Sequence, residues 1–175
     1  MNKGVCVVVG AGPGNGAAIG AEFATAGYRV ALCARNKNRL NEMAEKIPGA
    51  STYAYDVKDT AVAPEVFTRI RQEIGPVNVL IYNAGAGAFA NIDDATPEDF
   101  QSAWEVNCRG LFIAVKEVLP DMRAAGKGSI VIIGATASIK GGANFTPFAS
   151  AKAGQRGLAQ SLARYLVLKE SMSAT

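Results

Sequence analysis

Near the amino terminus, Val5-Cys6-Val7-Val8-Val9 runs straight into four glycines spaced two apart, Gly10, Gly12, Gly14 and Gly16, and Ala17-Ala18-Ile19 then opens a helical pattern. An apolar run without polar alternation suits a strand buried on both faces, the condition of a parallel sheet covered by helices. Glycines there let backbone N–H groups approach an anion at the positive end of the following helix. Strand, glycine turn and helix in this order point to an α/β fold. They also raise dinucleotide binding through Gly10, Gly12, Gly14, Asn15 and Gly16. The same residues would serve equally as an ordinary glycine-rich turn, so the loop alone does not decide function.

The unit repeats down the chain. A helix from Asn15 to about Ala26 stops at Gly27, and Tyr28 to Ala34 reads as a second strand. Leu40, Met43, Ala44 and Ile47 mark a helix over Asn38 to Ile47, ended by Pro48-Gly49, and Ser51 to Tyr55 is a third strand. Asp59 and Thr60 are placed to cap a helix reaching Ile74, and Val77 to Tyr82 is the fourth strand. After a small-residue loop, Thr96-Pro97-Glu98-Asp99 supplies a cap, a proline at the first helical position and acids in the first turn. This helix is expected to reach about Ala125 despite Pro120. Ser129 to Gly134 is the fifth strand, the last helix spans Pro147 to Leu168, and a polar tail covers Lys169 to Thr175. Strands alternating with helices through right-handed crossovers predict a three-layered, doubly wound parallel sheet of order 3-2-1-4-5. A single domain over residues 1–168 is expected.

With 175 residues, 49% of them hydrophobic, the chain is long enough to bury a substantial core. Its net charge of +3 comes from Lys and Arg spread along the sequence, which argues against nucleic acid or a membrane surface as partner. No apolar run reaches the roughly 18 residues that span a bilayer, and glycine interrupts the N-terminal run at once, unlike a signal peptide. A cytoplasmic protein is expected. Cys6, Cys33 and Cys108 fall in predicted strands and a helix without C-x-x-C spacing, so disulfides and metal sites are not expected. The chain has no histidine, which excludes Ser-His-Asp or Cys-His nucleophilic catalysis.

In such a sheet the ligand crevice lies beyond the carboxyl ends of the strands. The loops predicted there are Gly10 to Gly16, Ala34-Arg35, Asp56-Val57, Asn83-Ala84-Gly85 and Ala135 to Ser138. A dinucleotide site usually carries an acid about 20 residues past the glycines for the ribose 2′-hydroxyl. Here Ala34 is followed by Arg35-Asn36, with no acid before Glu42. A guanidinium at that place grips a 2′-phosphate through two parallel hydrogen bonds, which favours NADP(H), with NAD(H) as the alternative. On the plainer readings Arg35 is a solvated residue after a strand, Asp56 caps a turn, and Asn83 is a turn residue tolerant of left-handed backbone.

Together these segments resemble the short-chain dehydrogenases/reductases. Val9 to Gly16 is similar to that family's T-G-x-x-x-G-x-G loop, with Val9 in the threonine place. Asp56-Val57 resembles its adenine-contacting segment, Tyr82-Asn83-Ala84-Gly85 its N-N-A-G motif, and Asn107 its helix-borne catalytic Asn, in order and spacing over nearly the whole chain. The resemblance implies a Rossmann-like fold. It also implies a Tyr and a Lys four residues apart after the fifth strand, with a Ser thirteen residues before the Tyr. The Tyr exchanges a proton with the substrate oxygen, the Lys lowers its pKa and holds the nicotinamide ribose, and the Ser orients the carbonyl. Phe148-Ala149-Ser150-Ala151-Lys152 keeps the Lys but puts Phe148 in the Tyr place, and thirteen residues earlier stands Ala135. Thr136, one place on, and Ser138 offer hydroxyls, but neither replaces a phenol tuned toward neutrality.

The activity implied is an NADP(H)-dependent oxidoreductase acting on a small carbonyl, hydroxyl or activated-alkene substrate. Lys152, Asn107, Thr136 and Ser138 would remain of the catalytic set, with an atypical proton donor. The alternative is a cofactor-binding module with little or no turnover. Family members continue past the last helix into two further strands and a substrate-covering loop, which have no counterpart after about Leu168, so the fifth strand is expected to be an edge. In relatives the helices matching residues 97–125 and 147–168 pair with their copies. Leu111, Phe112, Val115, Leu158, Leu162 and Leu166 are accordingly expected to carry surplus apolar surface in a homodimer or homotetramer.

Overall fold

Five parallel strands, β1 (Val5–Val9), β2 (Arg29–Ala34), β3 (Ala50–Ala54), β4 (Val77–Tyr82) and β5 (Ser129–Ile132), pair in the order β3-β2-β1-β4-β5 in a computed structural model. The structure describes residues 3–173, with side chains described through residue 166. The helices are α1 (Asn15–Thr25), α2 (Lys37–Ala44), α3 (Ala63–Ile74), α4 (Pro97–Trp104), α5 (Gly110–Ala124) and α6 (Thr146–Ser173). The chain divides into two units: one holds the residues up to Gly85 with Ile113–Ile133, the other Ala86–Phe112 and the residues from Gly134 onward.

The first unit is the sheet with its covering helices. Side chains alternate across a strand, so each buried strand must serve two cores. Cys6 and Val8 of β1, Val30 and Leu32 of β2, and Val79 and Ile81 of β4 meet Leu40 and Met43 of α2, with Ile19 and Phe23 of α1 packed alongside. The alternate residues Val7, Val9, Ala31, Cys33, Leu80 and Tyr82 are equally buried on the opposite face. Each valine of β1 has no solvent exposure, worth about 1.5–3 kcal/mol of hydrophobic burial apiece. A polar staple joins α3, α5 and the start of β4: Arg71 Nε donates to Asp121 Oδ1 and Oδ2 at 3.0 and 3.1 Å, and the Val77 N–H donates to Asp121 Oδ2 at 3.0 Å. At the β3 edge, the Tyr53 hydroxyl donates to Glu73 Oε2 at 2.9 Å, and the Arg69 guanidinium pairs with Glu73 and lies over the Tyr53 ring. At the other edge β5 alternates exposed and half-buried residues, with Val131 44% exposed.

The second unit packs α4 on α6. Thr96 and Asp99 form a capping box, the Thr96 hydroxyl accepting from the Asp99 N–H and the Asp99 carboxylate from the Thr96 N–H. That reciprocal pairing satisfies donors the first turn of α4 would otherwise leave open.

Several expectations are corrected. The helix from Pro97 is not α-helical throughout, because Glu105–Arg109 forms a π-helical turn between α4 and α5. α3 begins at Ala63 with Pro64 in its first turn and no side-chain cap, while Asp59 Oδ1 accepts the Ala61 N–H instead. β5 ends at Ile132 rather than Gly134. α6 continues to Ser173, past Leu168 and into the expected polar tail, since Lys169-Glu170-Ser171-Met172 contains neither glycine nor proline to stop it. The last two residues of that tail lie outside the described residues. Leu111 and Val115 are core residues rather than surplus surface; Phe112 is exposed, and Leu158, Leu162 and Leu166 are half-buried.

Candidate functional site

In the first unit the glycines divide by what surrounds them. Gly10 has φ +87°, a backbone that only glycine adopts cheaply, and a Cβ there would strike the Ala84 backbone. A Cβ on Gly16 would stand 2.7 Å from Ala11 Cα, so this glycine lets α1 close onto the turn. Gly12 and Gly14 would meet nothing within 4 Å. Those two are therefore not small for the sake of the protein's own packing; they leave an open cradle, and α1 starts there with no side-chain cap on its amides. A helix N-terminus facing bare backbone attracts an anionic oxygen, so these residues fit the pyrophosphate of a dinucleotide.

The neighbouring loops hold this cradle in shape. Gly10 N–H and Ala11 N–H both donate to Cys33 O, at 2.8 and 3.0 Å, tying the loop to the end of β2. Asn83 N–H donates to Val9 O at 2.8 Å and Asn83 Nδ2 donates to Gly10 O at 2.7 Å. Asn83 is thus a latch between the β4 loop and the glycine loop rather than a left-handed turn residue; among the described residues no residue other than glycine has positive φ. Ala84 and Gly85 follow directly, with Ala84 as the surface that Gly10 must clear. Asp56 Oδ1 accepts the Lys58 N–H at 2.9 Å, a turn cap, and Val57 beside it is buried. Arg35 is exposed at the end of β2 and shares an open basin with Asn36, Lys37, Asn38 and Arg39. Asn36 Oδ1 accepts the Arg39 N–H at 3.0 Å and so starts α2 there, bringing three cations and no carboxylate around one basin.

In the second unit Asn107 lies on the π turn with no solvent exposure. Its Nδ2 donates at 2.8 Å to both Ala86 O and Ala103 O, and its Oδ1 is buried without a hydrogen-bond partner. A π turn loosens the regular ladder of backbone bonds, and the Asn107 amide occupies the Ala103 carbonyl one turn back. Lys152 on α6 is 5% exposed, and its Nζ donates to Gln155 Oε1 at 2.9 Å. Burial pushes its amine below the usual lysine range, while the neighbouring Cys108 thiol opposes that shift. Cys108 donates to Ala151 O at 3.0 Å, and burial raises its own pKa. The Phe148 ring lies 6.0 Å from Lys152 Nζ, against Gly87, and edge-on to Phe89 at 5.6 Å. Thr136 and Ser138 share one short 3₁₀ turn. Thr136 is exposed, whereas the Ser138 hydroxyl donates to Ala135 O at 2.7 Å.

The predicted site residues therefore fall into two sets. Gly10, Gly12, Gly14, Asn15, Gly16, Arg35, Asp56, Val57, Asn83, Ala84 and Gly85 belong to the first unit; Asn107, Thr136, Ser138 and Lys152 belong to the second. Sequence reasoning missed Lys37 and Arg39, whose signal was their spacing around the Asn36 cap. It also missed Gln155, a polar residue one helical turn after Lys152 on a face that otherwise turns inward at Ala151.

A family model for short chain dehydrogenases matches residues 4–170. The chain belongs to the short-chain dehydrogenase/reductase family. It is 34% identical over 164 residues to a short-chain dehydrogenase/reductase of Armillaria gallica, covering 89% of this chain and 62% of that protein. Among solved structures, an actinorhodin polyketide ketoreductase with NADPH superposes at a TM-score of 0.87 with 28% identity, covering 90% of this chain and 63% of that one. An NAD+-bound xylitol dehydrogenase superposes at 0.89 with 29% identity, covering 95% and 66%. This chain thus spans between 62% and 66% of the length of these relatives. No helix among the described residues is long and apolar enough to cross a membrane, and no cluster of metal-ligating side chains occurs among them.

Proposed function

We propose that this chain binds NADP(H) and takes part in hydride transfer to or from a small carbonyl or hydroxyl substrate, or an activated alkene. The observation that carries the reading is the open cradle at Gly12 and Gly14 over the uncapped start of α1. Arg35, Lys37 and Arg39 around one basin favour a 2′-phosphate, since a guanidinium binds phosphate bidentately and no acid stands there to take a ribose hydroxyl. Solved relatives described with NADPH and with NAD+ support a dinucleotide of either kind, and the three cations around the basin favour the phosphorylated one. Bound, the nicotinamide supplies or accepts the hydride. A ketoreductase and a xylitol dehydrogenase among the relatives support carbonyl and hydroxyl substrates.

In the second unit the proton falls to what remains of the catalytic set. Phe148 has no ionisable group, and Ser138 spends its hydroxyl on Ala135 O. Lys152 keeps an amine, Asn107 an unpartnered carbonyl oxygen, and Thr136 an exposed hydroxyl, any of which orders a water that carries the proton. Positioned acid–base catalysis supplies about 10²- to 10⁴-fold, while positioning of the reactants is worth roughly 7–11 kcal/mol, so the departure slows turnover without abolishing it. A second reading, a cofactor-binding module with little turnover, draws on Phe148 and on the committed Ser138.

Fluorescence titration with NADPH and NADH tests the cofactor. Tighter NADPH binding is expected, and no binding of either, or preference for NADH, sinks the proposal. A panel of carbonyl and enone substrates, run on the natural chain and on Phe148→Tyr with Ala135→Ser, separates the two readings. NADPH oxidation by the natural chain supports the enzyme, and oxidation by neither leaves only the binding module.

A further inference from the structure

The environment of Lys152 is built around a residue the family pattern did not single out. Gln155 is 1% exposed, and its Oε1 accepts from Lys152 Nζ at 2.9 Å. An ammonium has three donors and no acceptor, so only the oxygen of the amide can face it. That orientation turns the nitrogen away, and Gln155 Nε2 is buried with no hydrogen-bond partner. A buried donor left open opposes folding, whereas an apolar side chain of the same volume would fill the space without it. The amide is therefore not there as packing. Its oxygen is the part in use.

We propose that Gln155 is the positioning residue of Lys152, its carbonyl fixing the amine beside Phe148 and holding it in the charged form. Burial acts against that form. The Cys108 thiol on the π turn opposes the effect of burial, and the Phe148 ring offers its face at 6.0 Å. A hydrogen bond to a charged group is roughly twice as strong as one between neutral groups, so the Gln155 carbonyl supports the charged form of the amine it accepts from. In a chain with Phe148 where its family carries a proton-exchanging tyrosine, Gln155 would then set the pH range over which this segment holds a proton. The consequence for turnover rests on the oxidoreductase reading, but the pairing itself belongs to the cofactor-free protein and is tested there.

The test follows the Lys152 amine by NMR in ¹⁵N-lysine-labelled protein without cofactor, its signal assigned by the loss seen in Lys152→Arg. Gln155→Met keeps the side-chain volume and removes the acceptor; Gln155→Glu puts a carboxylate in its place. The titration midpoint of Lys152 is expected to fall by about one pH unit in the Met variant and to rise in the Glu variant. A residue that only filled space would not move the midpoint in the Met variant, so an unchanged midpoint there, with wild-type melting, overturns the proposal. Should the Met variant fail to fold, Gln155→Leu, which also lacks an acceptor, decides: a fall supports the assignment and no fall overturns it. NADPH titration of the unsubstituted protein is read separately. Shifted midpoints without NADPH binding sink the oxidoreductase reading and leave the Gln155 assignment standing; binding with unmoved midpoints does the reverse.

Discussion

The same methyl group added at Gly10 and at Gly12 meets two different surroundings. At Gly10 it must enter left-handed backbone and strike the Ala84 main chain, and neither side can move without disturbing β1 or β4. Gly10→Ala is expected to cost at least about 1–2 kcal/mol from the backbone alone, read as a lower midpoint in urea unfolding. At Gly12 the methyl meets nothing within 4 Å, so Gly12→Ala should melt within a degree or two of the wild type. If the space above Gly12 belongs to a pyrophosphate, the same substitution weakens NADPH binding by about tenfold, roughly 1.4 kcal/mol. A Gly12→Ala protein that is as stable and binds NADPH as well as wild type would remove the cradle from the argument. Asn83 belongs beside these glycines. Its Nδ2 holds the Gly10 carbonyl, a role invisible in the sequence, where it reads as part of a motif or of a turn.

Among the elements, the start of β4 depends on Asp121 of α5. That carboxylate accepts from the Val77 N–H and from Arg71 Nε, and it is about one-tenth exposed. Removing the acid leaves the Val77 N–H without its acceptor and leaves Arg71 only its contacts with Glu117, whereas removing the arginine leaves the Val77 bond in place. Asp121→Ala is therefore expected to destabilise by about 2–3 kcal/mol and Arg71→Ala by about half as much, measured by urea unfolding. Equal losses would show that the Val77 bond contributes little. The strands around this staple were legible because their apolar runs and flanking glycines and prolines are local signals, and β4 was placed to the residue. The π turn at Glu105–Arg109 was not, because it changes hydrogen-bond partners while leaving the apolar spacing almost untouched. The start of α3 was misplaced because Asp59 makes its own short turn with Ala61, an alternative open to any aspartate near a helix start. The glycine loop could be read from its spacing, but the difference between Gly12 and Gly10 depends on Ala84, more than 70 residues away. The Lys152 pairing was partly legible: the lysine stood in register, while the burial that makes Gln155 matter is a product of packing.

Over the whole molecule, the buried weak acids tilt stability with pH in one direction. Cys6 has no solvent exposure, and burial pushes its thiol from 9.0 up to about 12. Burial also raises Cys33, Cys108, Tyr53 and Tyr55. In each, the folded chain holds the proton more tightly than the unfolded chain. Below about pH 9 both states are protonated at Cys6 and its contribution is complete. As pH rises from 9 toward 12 the unfolded chain releases a proton the folded chain keeps, and stability falls by up to about 1.4 kcal/mol per pH unit for this one thiol. Lys152 runs the other way, because its lowered pKa is a penalty at low pH that fades as pH approaches the ordinary 10.5. One amine does not offset five acids, and above 10.5 it offsets none. Urea unfolding at about pH 8, 9, 10 and 11 is therefore expected to show a loss that begins above pH 9 and steepens above 10, where the tyrosines join. Cys6→Ala should begin less stable at about pH 8, since it leaves a small cavity in the β1 core, yet lose stability less steeply from there. A pH slope identical in wild type and Cys6→Ala would mean that the unfolded chain protects this thiol as well as the sheet does, and that the alkaline limit of the fold lies with the other buried thiols and with the tyrosines of β3 and its following loop.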